Sequence, residues 1–122
     1  MVLIAMLVGA SVGSHADVQA SEFGACRMSV VTGYSAQQYP GRTADGTSTW
    51  GALAAGDNIA AGPAWMLGQR ITVWTPWGEA VYRLADTGHL AQNGIDYDLL
   101  FATTAEALQW GRRTVPVCVE GM

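Results

Sequence analysis

The sequence predicts one small β-rich domain with a single conspicuous helix. Its 122 residues are enough for one core, and half of them are hydrophobic while only 13% are charged, which is typical of a globular domain. Most of the chain consists of short segments rich in β-branched and aromatic residues, and glycine and proline separate these segments. Only one segment carries the capping and spacing signals of a helix.

The first half of the chain predicts one strand and a long irregular region. Residues 27–35, RMSVVTGYS, have the β-branched and aromatic content of a strand. Residues 36–51 are predicted to be a loop because proline and glycine interrupt them repeatedly. Residues 52–69 mix short apolar runs with glycine and proline, so we expect short strands and tight turns there and no long helix.

The second half predicts a hairpin, the helix and a closing strand. Residues 71–75 and 80–85 flank the turn TPWGE and are predicted to pair. Thr103 can cap a helix, Glu106 has the spacing of a capping box, and Gly111 suits a left-handed end. Residues 113–120 form the closing strand, and Pro116 predicts that this strand lies at an edge or a bulge because proline has no N–H.

The first residues, MVLIAMLVGASVGSHA, predict an export signal. The unbroken apolar run of residues 2–10 is shorter than the roughly 20 residues of a transmembrane helix. Ser14 and Ala16 have the spacing of small residues before a signal-peptidase site. We therefore expect a signal peptide at residues 1–16, an extension at 17–26, a domain at 27–122, and no transmembrane helix in the mature chain. A buried N-terminal strand is the alternative.

Charge and cysteine content exclude several classes of protein. The net charge is −4 and there is no lysine, so we expect no nucleic-acid partner. His89 is the one histidine after the predicted signal, and two cysteines cannot form a thiolate cage, so we expect neither a metal nor another cofactor. Cys26 and Cys118 either form a disulfide between the first and last strands, as in many exported proteins, or remain two buried thiols.

Three blocks of the chain together resemble the 3D domain, a family named for its aspartates. The blocks are VTGYSAQQYPGRTADGTSTWG, NIAAGPAWMLGQRITVW and YRLADTGHLAQNGIDYDLLFATTAEALQWGRRTVPVCV, and the resemblance covers roughly residues 28–119. The order DTG, GID, short helix and GRR is its most specific part. The resemblance implies a six-stranded double-psi β-barrel with one short helix, as in lytic transglycosylase A and, in plan, rare lipoprotein A and expansins. One departure is Gly62, where the family carries its first aspartate.

Residues 84–98, LADTGHLAQNGIDYD, hold three of the chain's ten acidic residues. The resemblance implies that Asp86 and Asp96 meet in one cleft. Asp96 would be the acid and base, with a raised pKa, and Asp86 would be its electrostatic and hydrogen-bonding neighbour. Asp98 is expected on the opposite face and is left out of the site. From spacing alone, Asp86 and Asp96 could instead cap turns.

Aromatic and hydroxyl side chains are the candidates for binding sugar. Trp50 and Trp77 are expected to be exposed platforms for sugar rings, although most tryptophans simply pack in cores or turns. Tyr34, Thr43 and Thr47 match cleft-lining positions of the resembling family, although threonine in a glycine-rich loop often serves the turn itself. Trp110 is predicted to lie in the core, and His89 is expected to be an exposed loop residue.

The resemblance implies an exported domain that acts on peptidoglycan or another polysaccharide in the periplasm, at the outer membrane or outside the cell. We expect an enzyme that cleaves glycosidic bonds by lytic-transglycosylase chemistry with a single aspartate as acid and base. The alternative is a non-catalytic module that binds glycan or loosens the wall, as expansin-like proteins do.

Overall fold

The computed structural model describes residues 25–120, so the predicted export signal and most of the following extension lie outside the described residues. This part of the chain forms strands β1 Ala25–Ser35, β2 Ile59–Ala61, β3 Arg70–Thr75, β4 Gly78–Asp86, β5 Tyr97–Phe101 and β6 Arg113–Val119, with helices α1 Thr49–Ala54 and α2 Thr104–Trp110. Short 3-10 turns span Ala64–Met66 and Ala91–Asn93. Within residues 25–120, no helix is long and apolar enough to cross a membrane.

The six strands close into a barrel in the order β1-β5-β2-β4-β3-β6. The β1–β5 and β2–β4 pairs are parallel, and the other four pairs are antiparallel. Strand β1 pairs with β6 along its first part and with β5 from Val31 onwards, so one long strand contacts two neighbours. The prediction of an all-β, six-stranded barrel is therefore confirmed.

Two apolar clusters pack within residues 25–120, and successive side chains of the short strand β2 contribute to both of them. Ala60 belongs to the barrel interior with Val31, Ile71, Leu84 and Leu99, all of which are fully buried. Ile59 belongs to the second cluster, which packs Ala52 of α1 against Ala36, Ala85 and Leu100. Because neighbouring residues of a strand face opposite sides, three residues of β2 are enough to join the two clusters.

The predicted first strand, hairpin and helix are confirmed. Thr103 caps α2 by accepting a hydrogen bond from Glu106 N, and the Glu106 side chain accepts one from Thr103 N, which completes the capping box. Helix α1 differs from the loop and turns that were expected. Ser48 caps it through Gly51 N, and burial of Thr49 and Ala52 stabilises it despite the glycine in its middle.

The ends of the barrel are joined as one of the two cysteine alternatives predicts. Cys26 and Cys118 form a disulfide, and they are register partners on β1 and β6. Pro116 pairs with Met28 of β1, while the ladder between β6 and β3 ends at Val117. The predicted edge position of β6 is wrong, because the closed barrel pairs this strand with β1 on one side and β3 on the other; its proline is accommodated where pairing with β3 has ended.

Candidate functional site

A row of residues across three strands forms the centre of the candidate site. Ala61 of β2 is the register partner of Asp98 on β5 and, on its other side, of Asp86 on β4. Adjacent strands lie roughly 4.8 Å apart, so the backbones of the two aspartates lie about 10 Å apart. The small Ala61 side chain lies between them and lines the same cleft.

A bulge in β4 aims Asp86 at this row. Ala60 pairs with Leu84, but Ala61 pairs with Asp86, so the register skips Ala85. Leu84 consequently stays in the barrel interior, Ala85 packs in the second cluster, and Asp86 lines the open cleft. Bulges of this kind re-aim side chains next to functional sites.

The two aspartates line one open cleft of about 660 Å³. This volume lies within the roughly 300–1,000 Å³ that is usual for small-molecule sites. Both apolar and polar side chains line it. Its walls include Thr32, Tyr34, Gln38, Tyr39, Ala61, Asp86, His89, Leu90, Asn93, Ile95, Asp98 and Leu108.

Asp86 is held in the cleft by three hydrogen-bond donors. Tyr34 donates its hydroxyl to Asp86 Oδ2 at 3.1 Å, and the backbone N–H groups of Ala44 and Thr87 donate to Oδ1, each at 2.9 Å. Three donors fix the orientation of this carboxylate and match its role as an acceptor. Burial raises the pKa of Tyr34, and the charge and hydrogen bond of Asp86 raise it further, so the phenol remains a neutral donor.

An ion-pair cluster holds the loop that supplies the Ala44 donor. Asp45 N donates to Ala85 O at 3.1 Å, and Arg83 bridges Asp45 and Asp57 with contacts of 2.8 and 2.9 Å. Partial burial raises the pKa of Asp45, but hydrogen bonds from Thr47, Thr43 and Arg83 outweigh it and hold that pKa well below its usual range. Asp45 is therefore a structural anchor that positions the loop over β4.

The cluster also accounts for two predicted sugar-binding residues. Thr43 and Thr47 donate their hydroxyls to Asp45 Oδ1 at 2.7 and 2.6 Å. Neither residue lines the cleft. Their hydroxyls thus serve the loop, which is the alternative that the glycine-rich sequence left open.

Asp98 differs from the other cleft carboxylate in its surroundings. It accepts one side-chain hydrogen bond, from Thr32 Oγ1 at 2.8 Å. Burial raises the pKa of Asp98; the Thr32 bond opposes this shift, and the negative charge of Asp86 adds to it. The cleft therefore joins one carboxylate with three donors to one carboxyl group whose environment favours the protonated form.

The expected pairing of Asp86 with Asp96 is wrong, because the two side chains line different cavities. Asp96 lines a separate pocket of about 290 Å³ with Trp65 and Tyr97. Its Oδ2 accepts a hydrogen bond from Val30 N at 2.8 Å, and Arg27 lies 3.4 Å from Oδ1.

Asp98, which was expected on the opposite face, is the residue that lines the cleft with Asp86. Regular alternation would put residues 96 and 98 on one face, but β5 begins only at Tyr97. Asp96 lies just before that strand, where its N–H donates to Val30 O at 2.9 Å and its carboxylate accepts from Val30 N. These two bonds turn the Asp96 side chain away from the cleft.

Some of the aromatic residues predicted for the site line the cleft and others do not. Tyr34 lines the cleft, and Trp110 is buried with its Nε1 donating to Val31 O at 3.0 Å. Trp50 is exposed on α1, and Trp77 is exposed at the turn between β3 and β4. Both are predicted sugar platforms, and neither lines the cleft. Thr32 was missed, although it stands two residues before Tyr34 and therefore on the same face of β1.

Gly62 occupies a tight position beside the site. Its N–H donates to Asp86 O at 3.0 Å. A Cβ atom there would lie 3.2 Å from both δ-carbons of Leu84 and 3.3 Å from Tyr97 Cδ1. The aspartate that the resembling family carries at this position would therefore force its neighbours to move, and the cleft draws its carboxyl groups from β4 and β5.

Within residues 25–120, no group of three or more histidine, cysteine or acidic side chains is arranged to hold a metal ion. No protein-family model and no curated protein matches this chain.

Proposed function

We propose that this domain cleaves glycosidic bonds in peptidoglycan or a related polysaccharide, with Asp98 as general acid and base. One observation carries the proposal: Asp98 and Asp86 flank Ala61 in a single open cleft, and the surroundings of Asp98 raise its pKa. A proton donor must keep its proton near neutral pH, and burial beside a second carboxylate is the usual means of achieving this.

The chemistry follows from the two environments. Protonated Asp98 donates its proton to the glycosidic oxygen, the bond to the anomeric carbon breaks, and positive charge develops on the sugar ring. The Asp86 carboxylate faces that charge and stabilises it. The C6 hydroxyl of the same sugar then attacks the anomeric carbon, and Asp98 accepts the hydroxyl proton, which gives a 1,6-anhydro product and restores the protonated acid.

The walls of the cleft suit a polysaccharide. Leu90, Ile95 and Leu108 supply apolar surface, and Gln38 and Asn93 supply amide donors and acceptors. Sugars need both, since their rings present C–H faces and their edges present hydroxyl groups. The Cys26–Cys118 disulfide favours an oxidising compartment, which supports export to the periplasm, the outer membrane or the exterior.

The experiment compares two substitutions that lie two residues apart. The protein is incubated with purified peptidoglycan sacculi, and 1,6-anhydro-muropeptides are quantified by mass spectrometry. Asp98→Asn should lower the rate by about 10²- to 10⁴-fold, the usual contribution of a general acid. Asp96→Asn is the matched control and should leave the rate unchanged, because an asparagine Oδ1 can still accept the Val30 N–H. Equal rates for parent and Asp98→Asn would contradict the proposal.

A non-catalytic glycan-binding or wall-loosening module is the second candidate. The glycine at position 62 favours it, because the resembling family carries a carboxyl group at this position, beside the site. Co-sedimentation with sacculi that yields no product, and that Asp98→Asn leaves unchanged, would select this alternative.

A further inference from the structure

The turn between β3 and β4 holds an exposed tryptophan in a fixed position. Trp77 is 70% exposed, which is unusual for so large an apolar side chain. The backbone N–H of Trp77 donates to Thr75 Oγ1 at 3.1 Å, and the Thr75 hydroxyl donates to Gly78 O at 2.5 Å. Gly78 has a φ of +122°, which other residues rarely adopt. The backbone around Trp77 is therefore fixed by the turn itself.

The Trp77 ring is held by a cation. The Arg113 guanidinium lies 5.3 Å from the centre of the Trp77 ring and 5.0 Å from that of Trp110. Arg113 Nε donates to Trp110 O at 2.8 Å, which fixes the guanidinium in turn. The two indole rings lie 6.4 Å apart, so buried Trp110 anchors exposed Trp77 through both direct and cation–π contact. The ring is thus fixed in orientation while most of its surface stays open.

A shallow pocket of about 210 Å³ adjoins the ring and is lined by Trp77, Phe101, Glu106, Gln109 and Trp110. We call these five residues the Trp77 site. The volume is below the roughly 300–1,000 Å³ of drug-sized ligand sites, so it suits a single ring. Glu106 Oε1 belongs to the helix cap, which leaves Oε2 and the Gln109 amide to bond a ligand.

We infer that the Trp77 site is a second sugar-binding site, which takes one pyranose ring of the same polysaccharide outside the cleft; this inference rests on the proposed function. A pyranose matches the site because its C–H face can stack on an indole while its hydroxyls reach a carboxylate and an amide. Helix α2 lies between the two sites. Ala107 and Leu108 line the cleft, whereas Glu106, Gln109 and Trp110 line the Trp77 site.

This arrangement gives the site a role for long substrates. A helix with its side chains is about 10–12 Å across, so one glycan strand can occupy the cleft and cross α2 to reach Trp77. The Trp77 site would then retain the enzyme on an insoluble wall while the cleft performs the chemistry. Short soluble fragments would occupy either site by itself and gain nothing from the presence of both.

The test measures binding to sacculi by co-sedimentation for the parent and for Trp77→Ala, Trp77→Phe and Trp65→Ala. Trp77→Ala should weaken binding about tenfold, the loss expected for one stacked aromatic contact, and Trp77→Phe should restore part of it. Trp65 is the matched control because it is 77% exposed and lines the Asp96 pocket instead. N-acetylglucosamine oligomers should compete with sacculi for binding to the parent. They should quench the tryptophan fluorescence of Trp77→Ala less than that of the parent.

The outcomes separate the two proposals. Parent-like binding by Trp77→Ala, an equal loss in Trp65→Ala, or absence of binding by the parent would overturn the Trp77 site. If Trp77→Ala is unfolded by circular dichroism, Trp77→Phe decides through the same binding and quenching measurements. Trp77-dependent binding without any anhydro product would refute the catalytic proposal and leave the Trp77 site intact. Asp98→Asn should remove product formation and preserve binding.

Discussion

Reduction of the Cys26–Cys118 disulfide should remove a large part of the stability of the barrel. The bond joins residues separated by 92 positions, and the loop-closure relation gives an entropy of about 16 cal/mol/K, or about 4.6 kcal/mol at 25 °C. A domain of this size has a free energy of unfolding of about 5–15 kcal/mol in total. The first and last strands of the barrel also remain paired without the bond, so the loss acts mainly through the unfolded chain.

The measurement is urea denaturation of the oxidised and the reduced parent, followed by tryptophan fluorescence and circular dichroism. The reduced parent is the best comparison because it keeps both sulfur atoms, whereas a Cys26→Ala/Cys118→Ala variant also leaves a small cavity beside buried Cys118. We expect a larger denaturant slope after reduction, since an uncrosslinked unfolded chain exposes more surface. Oxidised and reduced forms that agree within about 1 kcal/mol would refute the loop-closure reasoning.

Three further substitutions test the site. Asp98→Asn should stabilise the protein near pH 7, because a carboxyl group with a raised pKa favours folding at low pH and loses that contribution as pH rises through its folded pKa. In denaturation curves, the gain in the free energy of unfolding should be smaller at pH 4 than at pH 7. The same gain at both pH values would count against a raised pKa of Asp98. Arg83→Met should lower the free energy of unfolding by about 1 kcal/mol at neutral pH, and this loss should disappear in acid as Asp45 is protonated. An unchanged free energy of unfolding in denaturation curves would show that the two ion pairs of Arg83 are not stabilising. Gly62→Asp should destabilise the domain by about 2 kcal/mol or more and should not raise its activity, because the new Cβ would lie 3.2 Å from the δ-carbons of Leu84. A stable and more active variant would contradict this steric argument.

Local signals in the sequence predicted a large part of the fold. The helix α2 was predicted from Thr103, Glu106 and Gly111 because a capping box depends on residues only three positions apart. The β3–β4 hairpin was predictable for the same reason, since its strands flank a short turn. Helix α1 was not predicted, because its six residues contain a glycine and depend on packing of Thr49 and Ala52 against the barrel.

The composition of the cleft was only partly predictable. Asp86 and Tyr34 were identified from the resemblance to the 3D domain, and they are hydrogen-bonded to each other. The choice between Asp96 and Asp98 depended on where β5 begins, and a shift of one residue at a strand end decides which side chain enters a cleft. No pattern near residue 96 indicated that Val30, 66 positions earlier, would bind its carboxylate.

The sequence by itself determined the β-rich class, the capped helix, the hairpin and the residue types available for acid–base chemistry. These features depend on side-chain periodicity and on contacts between residues a few positions apart. Tertiary structure alone decided that Asp86 and Asp98 flank Ala61, that Asp96 faces another pocket, and that the two cysteines are register partners. Those outcomes depend on barrel closure and on a one-residue bulge at Ala85, which are properties of strands far apart in the chain.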